Sequence, residues 1–363
     1  MSKDVYKQML EVMKSRRSAY PGMDIPEFYA MVEELFSLQE AEVNNALPRK
    51  PATATDIAKE MGRDETEIEQ ILEKMADKGL CTTFVAQGTR FYQGAAFMIG
   101  IFEYQFMPGR VTERDKKIAR LIHDYKEAYE AKEANRNRYA TYPAIKRVIT
   151  VDKTIKAGNT IHTYDQVATY IDKYDTVGVG TCYCRHAALL RDEDTHDMPM
   201  EVCMLFGQSA EYLIERLGGR KLTKQEAREI LDLTEEAGLV HMTRNTTEDI
   251  TFLCNCDRWH CEVMSGLLKQ SKPALFFNSG YLPRFDPDLC QACETCIDRC
   301  PADALVMGEA DVPEVDLDRC FGCAVCATGC PDEAIGMDAK PDFPIPPKDP
   351  KELVTALKAS IAS

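Results

Sequence analysis

No apolar run in this 363-residue chain is long enough to cross a bilayer. The longest nearly unbroken one, residues 95–102, falls far short of the roughly 20 residues a span needs. The opening MSKDVYKQMLEVMKSRRSAY lacks the apolar region and small-residue cleavage site of an export signal, so a cytoplasmic location is expected. Positive charge is also in short supply. Lys and Arg number 44 against 59 Asp and Glu, a formal charge of −15. Such a chain repels phosphate backbones and anionic membrane surfaces, so neither nucleic acid nor membrane is expected as a partner. There is no Walker A loop. The segment GVGTCYC (178–184) lacks the third glycine and the following helix start of a dinucleotide fingerprint, so no nicotinamide or flavin site is expected.

Cysteine is what the chain has in excess. Fifteen are present, and in a reducing compartment they read as metal ligands or redox thiols rather than structural disulfides. Cys81 stands alone and reads as a small buried apolar residue.

Val5, Met9, Val12 and Met13 fall at helical spacing. A second helical run follows Ile25-Pro26, with Phe28, Met31, Val32, Leu35 and Phe36 on one stripe. Thr55 can cap a short helix that Gly62 breaks. Asp64 can cap a longer one lined by Ile68, Ile71, Leu72 and Met75 and ended by Gly79. LCTTFVAQGTRFYQG then reads as a hairpin turning near Gln87-Gly88. This order of helix, turn, helix and hairpin resembles a winged-helix domain. In that family the second helix enters the major groove, but here it carries Glu65, Glu67, Glu69, Glu73 and Asp77 against Lys74 and Lys78. Residues 51–80 hold four basic and eight acidic side chains, so a protein-contact or architectural role is expected instead. Residues 113–139 read as a charged, solvated helix. Thr163 with Gln166, and Thr223 with Glu226, form capping boxes, and Gly238 stops the second of these helices. A short strand is expected at 176–181 and a helix at 209–217. PDFPIPPKDP (341–350) reads as a linker before a terminal amphipathic helix that docks back on the body or on a partner.

CQACETCIDRCP places Cys290, Cys293, Cys296 and Cys300 before a proline, and CFGCAVCATGCP does the same with Cys320, Cys323, Cys326 and Cys330. Both match C-x2-C-x2-C-x3-C-P. The region resembles the bacterial two-[4Fe–4S] ferredoxin. The resemblance implies a small pseudo-symmetric α+β unit with two short hairpins, two helices and two electron-relaying clusters. In such units the fourth cysteine reaches across to the other cluster. One cluster is then expected on Cys290, Cys293, Cys296 and Cys330, the other on Cys320, Cys323, Cys326 and Cys300. Asp286, Asp288, Asp316 and Asp318 flank the motifs as turn residues.

Six cysteines remain: Cys182 and Cys184 in TCYCRH, Cys203 in MEVCMLF, and Cys254, Cys256 and Cys261 in CNCDRWHC. Six exceed the four a cubane needs. The expectation divides each C-x-C pair, with Cys182, Cys203, Cys254 and Cys261 holding a third iron–sulfur cluster and Cys184 and Cys256 forming an adjacent redox dithiol. Zinc and free thiols are the alternatives. His186 and His260 are expected beside the ligands, Arg185 and Arg258 to offset thiolate charge, and Trp259 to pack over the site as a lid. The arrangement is similar to the catalytic subunit of ferredoxin:thioredoxin reductase, where paired C-x-C motifs supply a cluster and a dithiol. Here only two such pairs occur, neither with proline between the cysteines. The whole chain resembles a group of 4Fe-4S dicluster-domain proteins of anaerobes. These join a winged-helix-like start, a C-x-C-R-H segment, a C-N-C segment and a terminal ferredoxin unit. In that group the stretch after C-N-C is often richer in cysteine, whereas here Asp257 and His260 occupy part of it.

The expected architecture is α+β and multidomain. It has a helical and winged-helix-like region (1–110), a mostly helical cysteine-bearing middle (111–280), a dicluster ferredoxin domain (281–340) and a linker with terminal helix (341–363). The expected function is that of an iron–sulfur oxidoreductase component. A low-potential donor protein would reduce the ferredoxin unit. Electrons would then pass singly to the middle centre and on to a substrate, a disulfide or an acceptor enzyme. A redox- or iron-sensing DNA-binding regulator and a pure relay subunit of a larger complex are the alternatives.

Overall fold

A computed structural model of the chain describes residues 2–16, 18–133, 141, 143–155 and 167–362. It is a mixed α+β protein. Three helices come first, α1 (Ser2–Ser15), α2 (Pro26–Leu35) and α3 (Leu38–Ala46). Pro26 opens α2, where its missing N–H would have had no partner anyway. Thr53 with Asp56 caps α4 (Ala54–Met61), two residues before the expected Thr55, and Gly62 ends it at φ 62°. Asp64 caps α5 (Glu65–Asp77), which buries Ile68, Ile71, Leu72 and Met75 and leaves Glu65, Glu67 and Glu69 exposed. β1 (Cys81–Ala86) and β2 (Thr89–Gly94) form an antiparallel hairpin with Phe84 opposite Phe91. Gln87 and Gly88 both take positive φ there, as a two-residue turn matched to the strand twist requires.

α6 (Ile101–Phe106) and α7 (Glu113–Lys132) follow. The charge of α7 suggested a solvated rod, but Ile118, Ile122, Tyr125 and Tyr129 are buried along one face. Tyr125 lies edge-on to Phe28 of α2, ring centroids 6.0 Å apart. The helix ends at Lys132, and residues 134–140 lie outside the described residues.

The middle of the chain is richer in strand than its sequence suggests. It runs through β3 (Lys146–Val148), α8 (Val167–Lys173), β4 (Val177–Thr181), α9 (Tyr183–Leu190), β5 (Glu201–Phe206), α10 (Gln208–Arg216), β6 (Arg220–Leu222), α11 (Lys224–Glu236), β7 (Val240–Arg244), β8 (Phe252–Cys256) and α12 (Glu262–Leu268). The expected strand at 176–181 is β4, and a helix start does follow it, at Tyr183. Thr223 and Glu226 cap α11, and Gly238 follows it at φ 72°. Thr163 and Gln166 lie outside the described residues.

The carboxy-terminal part holds β9 (Tyr281–Phe285), α13 (Thr295–Asp298), β10 (Leu305–Met307), β11 (Pro313–Val315), α14 (Val325–Thr328), β12 (Ile335–Ala339) and α15 (Pro350–Ala362). β9 pairs with β12 and β10 with β11, both antiparallel. The tail folds back. The Thr247 and Glu248 amides donate to the Pro347 and Lys348 carbonyls, both at 2.9 Å, and Leu353 is buried.

The chain divides into two compact units that interleave in sequence. One takes Met1–Arg136, Gly178–His196 and Ala210–Lys221; the other takes Asn137–Val177, Asp197–Ser209 and Leu222–Ser363. In the second unit, β3, β7, β8 and β5 form consecutive antiparallel pairs. Val240 and Met242 of β7 share a single core with Phe277, Leu305, Phe321 and Ile335 of the carboxy-terminal region. The sheet and the C-x2-C-x2-C motifs are therefore packed as one body within that unit.

Candidate metal centres

Each C-x2-C-x2-C-x3-C-P motif is shaped by the same local devices. Asp286 accepts a hydrogen bond from the Asp288 amide at 3.1 Å through its side chain, and its carbonyl accepts from the Cys290 amide at 3.0 Å. Asp316 repeats this with Asp318 at 2.9 Å and Cys320 at 2.8 Å. These aspartates are turn formers, as their type favours. The backbone then passes through left-handed positions at Ala292, Glu294, Gly322 and Ala324. That curls the first three thiols of each motif around one space. The fourth is held differently: the Ala304 amide donates to Cys300 Sγ and the Ala334 amide to Cys330 Sγ, both at 3.3 Å.

Two cavities result. One is lined by Cys290, Cys293, Cys296 and Cys330. The other is lined by Cys300, Cys320, Cys323 and Cys326. Each therefore takes three thiols from one motif and the fourth from the other. Burial pushes the Cys296 thiol up to about 11 and raises Cys323 and Cys326 further. Such thiols stay protonated unless a metal displaces the proton. Four thiols around each cavity are the donor set of a [4Fe–4S] cluster, and the residues present fit that group. The two cavities differ in exposure. Cys293 is exposed and Cys290 partly so, whereas Cys300, Cys320 and Cys326 are buried.

The middle cysteines fall in three places. Cys182 is the N-cap of α9 and Cys184 lies in its first turn, in the first unit. Residues two apart on a helix do not face each other. Cys254 and Cys256 lie on β8 in the second unit, where residues two apart share a face. The division of a C-x-C pair into one ligand and one outward thiol therefore does not describe Cys254 and Cys256. The Cys256 thiol instead meets those of both Cys254 and Cys261, and these contacts, with burial, hold it far above its ordinary range. Cys261 is the N-cap of α12, and its sulfur accepts from the Met264 amide at 3.5 Å.

The register of β8 brings in one more thiol. Met204 and Leu205 of β5 pair with Leu253 and Phe252. One step further along this antiparallel register, Cys203 stands opposite Cys254, where side chains share a face and neighbour each other. On the other side of β8, Val240 and Met242 pair with Cys256 and Cys254. Cys203, Cys254 and Cys256 thus lie on one face of the sheet, and Cys254, Cys256 and Cys261 join the same core as Cys296, Cys300, Cys320 and Cys326.

The intervening Asn255 faces the opposite way and is locked. Its Nδ2 donates to the Val202 carbonyl at 2.7 Å, and its Oδ1 accepts from His241 Nδ1 at 2.7 Å. His241 Nε2 lies 3.6 Å from Glu235, which also receives Lys153. Burial alone would raise the Glu235 carboxyl, but the neighbouring His241 and Lys153 outweigh it and hold the group below the usual carboxylate range. Sequence patterns had not singled out Asn255, His241 or Glu235; polar residues inside short apolar strands were the available signal for the first two.

Asp257 shapes the loop after β8. Its Oδ1 accepts from the Trp259 amide at 2.9 Å, the His260 amide at 2.6 Å and His260 Nδ1 at 3.1 Å. Arg258 grips Asp303 with both terminal nitrogens, at 2.6 and 2.5 Å, and reaches the Cys300 carbonyl at 3.4 Å. Its charge is thus spent on a carboxylate beside the Cys300 cavity rather than on the middle thiols. Trp259 is 49% exposed and forms no buried lid. In the first unit, Arg185 is fully buried, and the Phe106 carbonyl accepts from His186 Nδ1 at 2.9 Å. Burial holds His186 below its ordinary value.

Among the described residues, no three or more His, Cys, Asp or Glu side chains converge to hold one metal ion. A cubane does not require such convergence, because it spreads four thiolates over four irons. Residues 277–335 match the family model of the 4Fe-4S dicluster domain. No curated protein and no solved structure matches the chain. None of the helices described is long and apolar enough to cross a membrane.

Proposed function

We propose that this chain uses its carboxy-terminal 4Fe-4S dicluster domain to carry single electrons to a third, cysteine-ligated centre built on β5, β8 and α12. From there they pass to a substrate, a disulfide or an acceptor enzyme. The observation that carries this reading is the shared core: Cys254, Cys256 and Cys261 pack with Cys296, Cys300, Cys320 and Cys326 in one continuous body. When bound, the clusters supply the one-electron chemistry. The protein's residues supply the route and its direction. The quartet containing Cys293 is the more exposed, which suits contact with a low-potential donor protein. The quartet containing Cys300 faces inward, and Arg258 ties its loop to the CNCDRWHC segment through Asp303 and the Cys300 carbonyl.

The acidic outer face of α5 supports a protein-contact role for the helix–hairpin region rather than a DNA-reading one, since phosphate contact supplies most nonspecific affinity. The test of the relay is iron, acid-labile sulfide and EPR on protein purified without oxygen. The proposal requires about twelve iron per chain, four for each cubane, and a third reducible signal. About eight iron with only two interacting signals would reduce the protein to a dicluster ferredoxin with extra thiols.

A further inference from the structure

The six middle cysteines cannot all be ligands of one cubane, and the structure discriminates among them. We infer that the third centre is a [4Fe–4S] cluster held by Cys203, Cys254, Cys256 and Cys261, all within the second unit, with Cys182 and Cys184 outside the ligand set. The inference rests on the relay reading above and differs from the division that the C-x-C spacing suggested, in which Cys182 was a ligand and Cys256 a free thiol.

Three observations carry it. First, β8 is a strand, so Cys254 and Cys256 project from the same face, and Cys256 and Cys261 are buried in one core with Cys254 packed against it. A cysteine buried in that core is poorly placed to act as the outward member of a redox pair. Second, the β5–β8 register sets Cys203 opposite Cys254, which supplies a fourth thiol from a segment some fifty residues away. Third, the Met264 amide donates to Cys261 Sγ at 3.5 Å. The Ala304 and Ala334 amides do the same for Cys300 and Cys330 in the dicluster domain. Backbone N–H donors aimed at sulfur stabilise thiolate ligands and tune the potential of the iron they hold.

The loop that completes the set is built for rigidity. Asp257, itself buried, pins the Trp259 and His260 amides, so the turn between Cys256 and Cys261 is held by side-chain bonds within the CNCDRWHC segment. On the far face of β8, the bonds from Asn255 to Val202 and His241 fix the strand between its two cysteines.

The experiment compares single Cys→Ser variants of the full chain, purified without oxygen, by iron content and EPR. Cys203→Ser, Cys254→Ser, Cys256→Ser and Cys261→Ser should each fall from about twelve to about eight iron and lose only the third signal. The two dicluster signals retained in each variant report that the chain has folded. Cys182→Ser and Cys184→Ser should keep about twelve. Retention of twelve iron by Cys256→Ser, or loss of four by Cys182→Ser, overturns this ligand set while leaving the relay intact. Wild-type protein with about eight iron overturns the relay reading itself. Eight iron with one zinc per chain, the zinc lost in these four variants, overturns the cluster assignment while keeping the thiols as ligands.

Discussion

Asn255 is the residue whose replacement should loosen the middle centre without touching a thiol. In Asn255→Val the strand keeps a β-branched side chain of similar bulk, but both hydrogen bonds to Val202 and His241 are lost. Asn255 and His241 are buried, so water cannot replace the lost partners. Each orphaned buried group costs about 1–3 kcal/mol, and the better strand propensity of valine returns at most about 1 kcal/mol. The net loss should be about 1–6 kcal/mol, concentrated on the pairing of β8 with β5 and β7. Native-state hydrogen exchange, done without oxygen, reads this as a lowered opening free energy of the β5, β7 and β8 amides. A change under about 0.5 kcal/mol in those amides for the valine variant would refute the argument that this buried network holds the cysteine strand.

Arg258→Ala should lose no more than about 1 kcal/mol of stability, because Asp303 is largely exposed. The same change should slow electron arrival at the third centre several-fold in stopped-flow reduction, and an unchanged rate would remove Arg258 from the route. Glu235 has a depressed folded-state pKa, so its contribution to stability is present above its unfolded value and is lost as pH falls through the folded one. Acid denaturation monitored below about pH 4.5 should therefore flatten in Glu235→Gln; an unaltered acid limb would contradict the His241–Glu235–Lys153 account. Cys81 is fully buried with its thiol pushed up to about 12, so it should resist alkylation in the native protein, and rapid labelling by mass spectrometry would show that its surroundings open. Random duplex DNA should show no binding at moderate salt; a salt-sensitive shift in the micromolar range would favour a regulatory role.

The dicluster motifs were fully legible, because their spacing is local and their turn-forming aspartates recur in register. So were the caps at Asp64 and Thr223, and the Gln87-Gly88 turn, each set by a few adjacent residues. Thr53 was missed for Thr55 although it is Thr53 that stands three residues before Asp56, the spacing a capping box needs. The strands β5, β7 and β8 were not legible. EVCMLF, VHMTR and FLCNC are short, mostly buried runs that periodicity does not distinguish from helix. The consequence fell on the two C-x-C pairs. CYC runs into a helix, where its cysteines diverge, while CNC lies on a strand, where they share a face; nothing in the spacing tells the two apart. The placement of Cys203 opposite Cys254 depends on strand register across about fifty residues, which is a tertiary property. Arg258 was noticed for its charge, but its partner Asp303 lies 45 residues further along the chain and is found only by folding.

The central claim is that the middle thiols hold a third one-electron centre in contact with the dicluster domain. A reductive titration of the oxygen-free protein, with electrons counted against integrated EPR signal, tests it most directly. The account predicts about three electrons per chain, one for each cubane, with the third signal appearing in wild type and absent in Cys256→Ser. Two electrons per chain in wild type, unchanged in Cys256→Ser, would contradict it.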